Sequence, residues 1–373
     1  MTEKIRVLVV DDSAVFRELL ARELEKEGEF EVVGRAADPI IAKRLMAGSR
    51  PQVVTLDVEM PRQDGLSFLE ELMRGDPIPV VMVSSLTDSG AAATLRAFEL
   101  GAVDAICKPR DGDTTELGRR VRDAVRAAAL AKPRPGGAPP APGPVSKTSR
   151  IVKIPQSPIE GPVEAIPSAR KGRTGLILAP EKMARRLVAV GASTGGTEAI
   201  KEVLRALPRS FPPVVIVQHM PEGFTGHFAK SLRSLCDLDV IEAPLGDTRL
   251  VPGTVVLAKG GLHLLVAGEP GTLVAQVRDG PPVRNHRPSV DVLFTSVAKA
   301  AGDAALGVIL TGMGDDGARG MLKMREAGAH TYAQDAASCV VYGMPRRAVE
   351  LGSVEKTVEL AEIGTELMRA LAR

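Results

Sequence analysis

Cysteine is scarce in this chain: Cys107, Cys236 and Cys339 stand far apart in 373 residues and form no metal-ligand spacing. An odd, sparse set suits a reducing cytosol better than a disulfide framework. A charge excess of either sign is also missing, because 48 basic residues face 46 acidic ones for a formal net charge of +2. That balance gives no electrostatic case for nucleic acid or an anionic membrane surface as a partner. Long apolar runs are absent as well. Nowhere do the roughly 18 uninterrupted apolar residues of a bilayer-spanning helix occur. The opening MTEKIRVLVVDDS breaks its short apolar run with two aspartates, unlike a secretory signal. No internal repeat or sustained heptad is present. The expectation is a soluble, cytoplasmic protein without membrane insertion or a nucleic-acid partner.

The length suggests two domains, and a hydrophobic fraction of 44% suffices for two cores. Between them, Lys132 to Pro180 opens with KPRPGGAPPAPGP, a composition that buries too little surface to offset its ordering entropy. Proline makes such a segment a semi-rigid spacer. Its apolar patches at 151–154 and 176–178 could pack on a domain. The expected division is 1–130, a linker over 131–184, and 185–373. On both sides of the linker, apolar strand-like runs alternate with helical patterns. IRVLVV, EFEVVGRA, QVVTLD, PVVMVSS and DAICK precede it; RLVAVGAS, PPVVIVQH, GTVVLA and ALGVILTG follow it. Such alternation predicts an α/β fold in each half, doubly wound, with a mainly parallel sheet covered by helices on both faces.

In doubly wound sheets, ligands gather at the carboxyl ends of the strands. Asp11 and Asp12 follow the first strand, Asp57 ends the third, Ser84 ends the fourth and Lys108 ends the fifth, so all five reach one rim. Crowded carboxylates repel one another and call for a hard cation such as Mg²⁺. One aspartate can then serve as nucleophile toward a phosphoryl group, with a lysine and a hydroxyl holding the new oxygens. Taken singly, an Asp-Asp pair after a strand is a turn or helix cap and a Lys-Pro a plain loop; the ordered set of five is what points to chemistry.

In the second half, Gly191-Ala192-Ser193-Thr194-Gly195 fits G-x-S-x-G at a strand-to-helix turn, where small residues let a serine stand exposed near free helix N–H groups. A Gly-rich phosphate loop is the competing reading, although neither the dinucleotide spacing nor a P-loop Lys is present. His219 ends the next strand, and Asp315 and Asp316 follow a later one. An imidazole can take the serine proton, and a carboxylate can orient the ring. The order Ser, His, Asp differs from that of the common α/β hydrolases. Asp316 could equally cap the following helix. The remaining histidines, His227, His263, His286 and His330, are expected to be structural or superficial.

Asp11, Asp12, Asp57, Ser84 and Lys108, with the stretch DVEMPRQDG, resemble the receiver domain of two-component response regulators over roughly residues 4–125. The resemblance implies a flavodoxin-like fold, with Asp57 as phosphoacceptor and Asp11, Asp12 and Asp57 around Mg²⁺. It implies Ser84 as switch hydroxyl and Lys108 as phosphate-binding lysine. Ala105 stands where many receivers carry an aromatic switch residue, which speaks against a simple aromatic-rotamer mechanism. Likewise GASTGGTEAI, QHMPEGFTGHFA, NHRPSVDVLF, GVILTGMGDDGARGM and AQDAASCVVYGMP resemble the catalytic domain of the CheB chemotaxis methylesterases over roughly residues 186–370. This second resemblance implies Ser193 as nucleophile, His219 as general base and Asp316, rather than Asp315, as orienting acid. It also implies Thr194 as support for His219, the Met313 N–H as an oxyanion donor, and Arg284, His286 and Arg287 around the cleft. The implied reaction is hydrolysis of glutamate methyl esters on chemotaxis receptors, with glutamine deamidation as a second activity and no cofactor for the hydrolysis. A chemotaxis histidine kinase would be the phosphodonor. The fusion and the family together suggest that the receiver covers the cleft until Asp57 is phosphorylated. Two other readings are a phosphorylation-dependent binding regulator without catalysis and a DNA-binding regulator; balanced charge and the lack of a helix-turn-helix pattern oppose the latter.

Overall fold

A computed structural model describes residues 3–60, 64–75, 77–85, 87–108, 114–131, 183 and 185–372. The Pro/Gly-rich segment, its two apolar patches and part of DVEMPRQDG lie outside the described residues. The first unit runs β1 (Ile5–Val10), α1 (Ala14–Glu25), β2 (Phe30–Ala36), α2 (Pro39–Gly48), β3 (Val53–Asp57), α3 (Gly65–Arg74), β4 (Val80–Ser84), α4 (Asp88–Leu100), β5 (Asp104–Cys107) and α5 (Thr114–Leu130). Its strands pair in parallel in the order β2-β1-β3-β4-β5. β3 and β4 are buried along their whole length, as β-branched runs covered on both faces must be. Side-chain caps start the helices: Ser13, Asp38 and Asp64 each accept an amide of the first turn, satisfying donors the helix itself cannot.

The second unit begins with β6 (Leu187–Ala192), α6 (Gly196–Arg205), β7 (Val214–Gln218), α7 (Thr225–Leu235), β8 (Asp239–Glu242), β9 (Asp247–Arg249), β10 (Thr254–Leu257), β11 (His263–Ala267) and β12 (Val274–Arg278). It continues with α8 (Val290–Ala301), β13 (Ala305–Ile309), α9 (Ala318–Glu326), β14 (His330–Gln334), α10 (Met344–Glu350), β15 (Lys356–Val358) and α11 (Leu360–Leu371). The main sheet has the order β15-β14-β13-β6-β7-β10-β8, and its pairings are parallel. A small antiparallel sheet, β11-β12-β9, stands beside it; the sequence patterns had not singled it out, because its short strands carry no clear alternation. The chain leaves β6 toward β7 on one side and returns through β13 on the other, so β6 lies at the switch point where α/β sheets open a crevice.

The two units touch. α4 of the first packs against α6 and α7 of the second, and Phe98 and Phe224 are both almost wholly buried. Lys201, 2% exposed as a side chain, reaches Glu99 across the junction at 3.2 Å and Glu198 of its own helix at 2.8 Å. No helix among the described residues is long and apolar enough to cross a membrane.

Candidate active site and phosphoacceptor pocket

Three adjacent strands, β13, β6 and β7, end at one crevice. Ser193 follows β6, where its amide donates to the Thr311 carbonyl at 3.0 Å and its carbonyl accepts from Gly196 N–H at 2.7 Å. The turn depends on Gly195, which has φ +76° and whose hypothetical Cβ would lie 2.6 Å from Val340 Cβ. Gln218, the last residue of β7, pins the turn from the other side by donating its amide to the carbonyls of Ser193 (2.9 Å) and His219 (3.1 Å). The loop after β13 reaches Ser193 because Gly312 has no side chain; a Cβ there would stand 2.7 Å from Ser193 Cβ.

His219 Nε2 bonds Asp316 Oδ2 at 2.8 Å, while its Nδ1 is buried without a partner. Asp316 is 1% exposed, yet fully satisfied. Its Oδ1 accepts from the Ser289 hydroxyl and the Asp291 amide, and its Oδ2 from the Val290 amide as well as His219. Burial alone would raise this carboxyl, but the bond and charge of His219 and the amides at the start of α8 outweigh it and hold the group down at about 2. A helix N-terminus, with free amides and the positive dipole end, is a natural seat for such an anion. His286 stacks on His219 with ring centroids 3.6 Å apart and planes 5° from parallel. Burial, with the neighbouring imidazole, lowers His286 to about 3, so it stays uncharged at neutral pH. His286 closes a tight turn with Val283 whose central residues, Arg284 and Asn285, both adopt positive φ. Arg284 is held there by Asp291 at 3.0 Å and by a short contact to Asp315.

Ser193, His219, Met313, Asp316, Arg284, His286 and Arg287 line a cleft of about 560 Å³ whose opposite wall belongs to the first unit, including Arg119 and Arg120 of α5. Among the described residues no hydrogen bond joins the Ser193 hydroxyl to His219. Thr194, for which support of His219 was expected, instead gives its hydroxyl to Asp104 Oδ2 of β5 at 2.7 Å. Sequence patterns pointed to neither Asp104 nor Gln218, Ser289 and Asp291, which are ordinary polar residues until the fold brings them to the site.

At the rim of the first sheet, Asp11 and Asp57 are buried and Asp12 is exposed, with one ligand oxygen of each within 4.8 Å of the others. Lys108 Nζ bridges Asp57 at 2.6 Å and Asp11 at 2.8 Å and lies 4.8 Å from the Phe16 ring centroid. Burial pushes Asp57 up to about 6, against the Lys108 bond and with help from the Asp11 charge. Ser84 is fully buried at the end of β4 and donates to the Ser85 carbonyl. Asp11, Asp12, Asp57 and Lys108 therefore meet at this rim, and Ser84 ends the neighbouring strand with its hydroxyl bonded to its own chain.

Comparison with known proteins matches residues 188–367 to the CheB methylesterase family and residues 7–121 to the response regulator receiver domain. A protein-glutamate methylesterase/protein-glutamine glutaminase of Burkholderia lata is 48% identical over 373 residues, covering 99% of this chain and 96% of its own. One from Methylobacillus flagellatus is 46% identical over 371 residues, covering 99% and 97%. The catalytic domain of Thermotoga maritima CheB methylesterase is 35% identical over 50% of this chain and 98% of its own, with a TM-score of 0.48.

Proposed function

This chain belongs to the CheB methylesterase family, joined to a response regulator receiver domain, and we propose that it hydrolyses glutamate γ-methyl esters on chemotaxis receptors when Asp57 is phosphorylated. The observation that carries the reading is the His219–Asp316 pair placed with Ser193 at the ends of three neighbouring strands. The division 1–130, 131–184 and 185–373 accords with the matched ranges. Asp316 takes the Nε2–H, which leaves the Nδ1 lone pair of His219 to remove the Ser193 proton. Ser193 Oγ then attacks the ester carbonyl carbon, and the oxyanion turns toward the Met313 N–H. Such a donor contributes roughly 3 kcal/mol to the transition state. Methoxide departs with the proton from His219 as methanol. Water, deprotonated by His219, next attacks the acyl-enzyme, and Ser193 leaves to give a glutamate carboxyl. Attack on a glutamine amide with ammonia as leaving group follows the same path, so the glutaminase activity named in the relatives comes from the same residues.

In the receiver, an Asp57 carboxylate oxygen attacks the phosphorus of the donor phosphohistidine, the P–N bond breaks with imidazole as leaving group, and Lys108 and Ser84 hold the phosphoryl oxygens. The hard oxygens of Asp11, Asp12 and Asp57 suit Mg²⁺, which would offset carboxylate and phosphoryl charge there. The donor is a chemotaxis histidine kinase, and the protein works in the cytoplasm, where receptor signalling domains are reached. The docked receiver walls one side of the cleft, and phosphorylation biases the chain toward an open arrangement.

The test is methanol release from methylated receptor membranes, with and without a small-molecule phosphodonor. Wild type should respond to the donor, Asp57→Asn should not, and Ser193→Ala should be silent. Release that persists in Ser193→Ala would remove the nucleophile assigned here.

A further inference from the structure

Asp104 places a carboxyl from the receiver in the small cavity that Ser193, Thr194 and His219 enclose from the other side. Its Oδ1 accepts from the Ala105 amide at 2.8 Å, and its Oδ2 accepts the Thr194 hydroxyl at 2.7 Å. Thr194 is 5% exposed and directly follows Ser193. A threonine hydroxyl has a single proton and serves one acceptor at a time. While Asp104 holds it, no substrate oxygen can.

A carboxyl is a costly choice for simple docking. Burial pushes Asp104 above the ordinary carboxylate range, and an apolar side chain would fill the same junction without that penalty. The units already have the Phe98–Phe224 region and the Lys201–Glu99 pair to hold them together. What a carboxyl offers at this spot is chemical likeness. The product of ester or amide hydrolysis beside Ser193 is a side-chain carboxyl, glutamate's being one methylene longer than that of aspartate.

Resting on the hydrolysis set out above, we infer that Thr194 Oγ1 is a subsite for the oxygen of the substrate ester and product carboxyl that the Met313 N–H does not take, and that Asp104 is an internal product mimic filling it while the receiver is docked. Receiver and receptor then compete for one hydroxyl as well as for one surface. Opening the cleft has two parts, parting the helices at α4 and withdrawing the Asp104 carboxyl, and the second can be altered by itself.

The experiment uses the full chain without phosphodonor. Asp104→Ala should release methanol about tenfold faster than wild type, as expected for loss of one charge-assisted bond, and Asp104→Asn, which keeps an acceptor oxygen, should fall between. Acetate, a minimal carboxylate, is the binding probe, followed by saturation-transfer NMR. It should bind Asp104→Ala but not wild type. Adding Thr194→Val should abolish that binding, and adding Thr194→Ser should preserve it. A basal rate in Asp104→Ala equal to wild type overturns the inference. So does acetate that fails to bind Asp104→Ala or still binds after Thr194→Val; Asp104 is then a docking contact only. If no chain releases methanol even with phosphodonor, the hydrolysis reading fails, and the acetate measurements still decide whether Thr194 is a carboxyl subsite.

Discussion

At the scale of single residues, the His219–Asp316 pair is set by what surrounds it. Asp316 has every lone-pair direction used, by Ser289, Val290, Asp291 and His219, so the ring can neither rotate nor exchange tautomers freely. Asp316→Asn keeps the shape but presents a donor to Nε2, and kcat should fall by about 10⁴-fold with KM little changed. The same substitution has a pH signature. A carboxyl lowered from 3.8 to about 2 in the folded chain contributes stability that is complete above the unfolded value and fades as pH falls through about 2. Acid unfolding followed by circular dichroism should therefore be steeper between these values in wild type than in Asp316→Asn. His286 acts through its stack on His219. His286→Ala should lower kcat by about tenfold, an effect typical of a displaced catalytic group, whereas His286→Phe, which retains a ring, should recover most of it. Equal losses in both variants would mean that the stack does not position the base.

At the scale of elements, the site is a property of turns. Gly195 lets β6 break into α6 with Ser193 at the corner, because only glycine takes φ +76° cheaply and leaves room beside Val340. Gly195→Ala should destabilise the chain by about 1–3 kcal/mol, from left-handed strain and overpacking together, read as a drop in Tm. Gly312 does a different job, since its missing Cβ lets the loop carrying Met313 and Asp316 lie against Ser193. These turns were readable beforehand as Gly-rich stretches at strand ends, and the apolar runs foretold β1 to β5 and β6, β7, β10 and β13, but not β8, β14 and β15 of the main sheet. The antiparallel β9, β11 and β12 were not readable: DTR and VAQVR are broken by polar residues, and HLLVA sits alone between loops, whereas parallel strands of the same length are nearly unbroken apolar runs. The family resemblance placed His286 near the cleft, but its stack on His219 was hidden. His286 lies in a loop, and only the Val283–His286 turn swings it over His219.

At the scale of the whole molecule, the decisive feature is the junction between the two units. Lys201 is nearly as buried as a core residue and shares its charge between Glu198 and Glu99. Removing Glu99 leaves Lys201 its helix partner but loosens the docking. Glu99→Ala should raise methanol release without phosphodonor about five- to thirtyfold, by roughly the 1–2 kcal/mol of a partly buried charge-assisted bond, and should leave the phosphorylated rate unchanged. A basal rate that does not move would place the docking energy in the apolar contacts around Phe98 and Phe224.

Much about this protein was determined locally. Acidic, hydroxyl and basic residues at successive strand ends specify the candidate phosphoacceptor pocket, and the serine, histidine and aspartate at three further strand ends specify the group proposed to catalyse. Parallel strands point their carboxyl ends the same way, so position along a strand already says which rim a residue reaches. Tertiary structure alone decided which side chains complete those sites. The seat of Asp316 is made of backbone amides from a helix that begins 26 residues before it, and the Thr194 hydroxyl is taken by Asp104, 90 residues away in another unit. Neither leaves a trace in composition or periodicity. A hydrogen bond across such a separation depends on how two surfaces meet, and sequence spacing carries no record of that meeting.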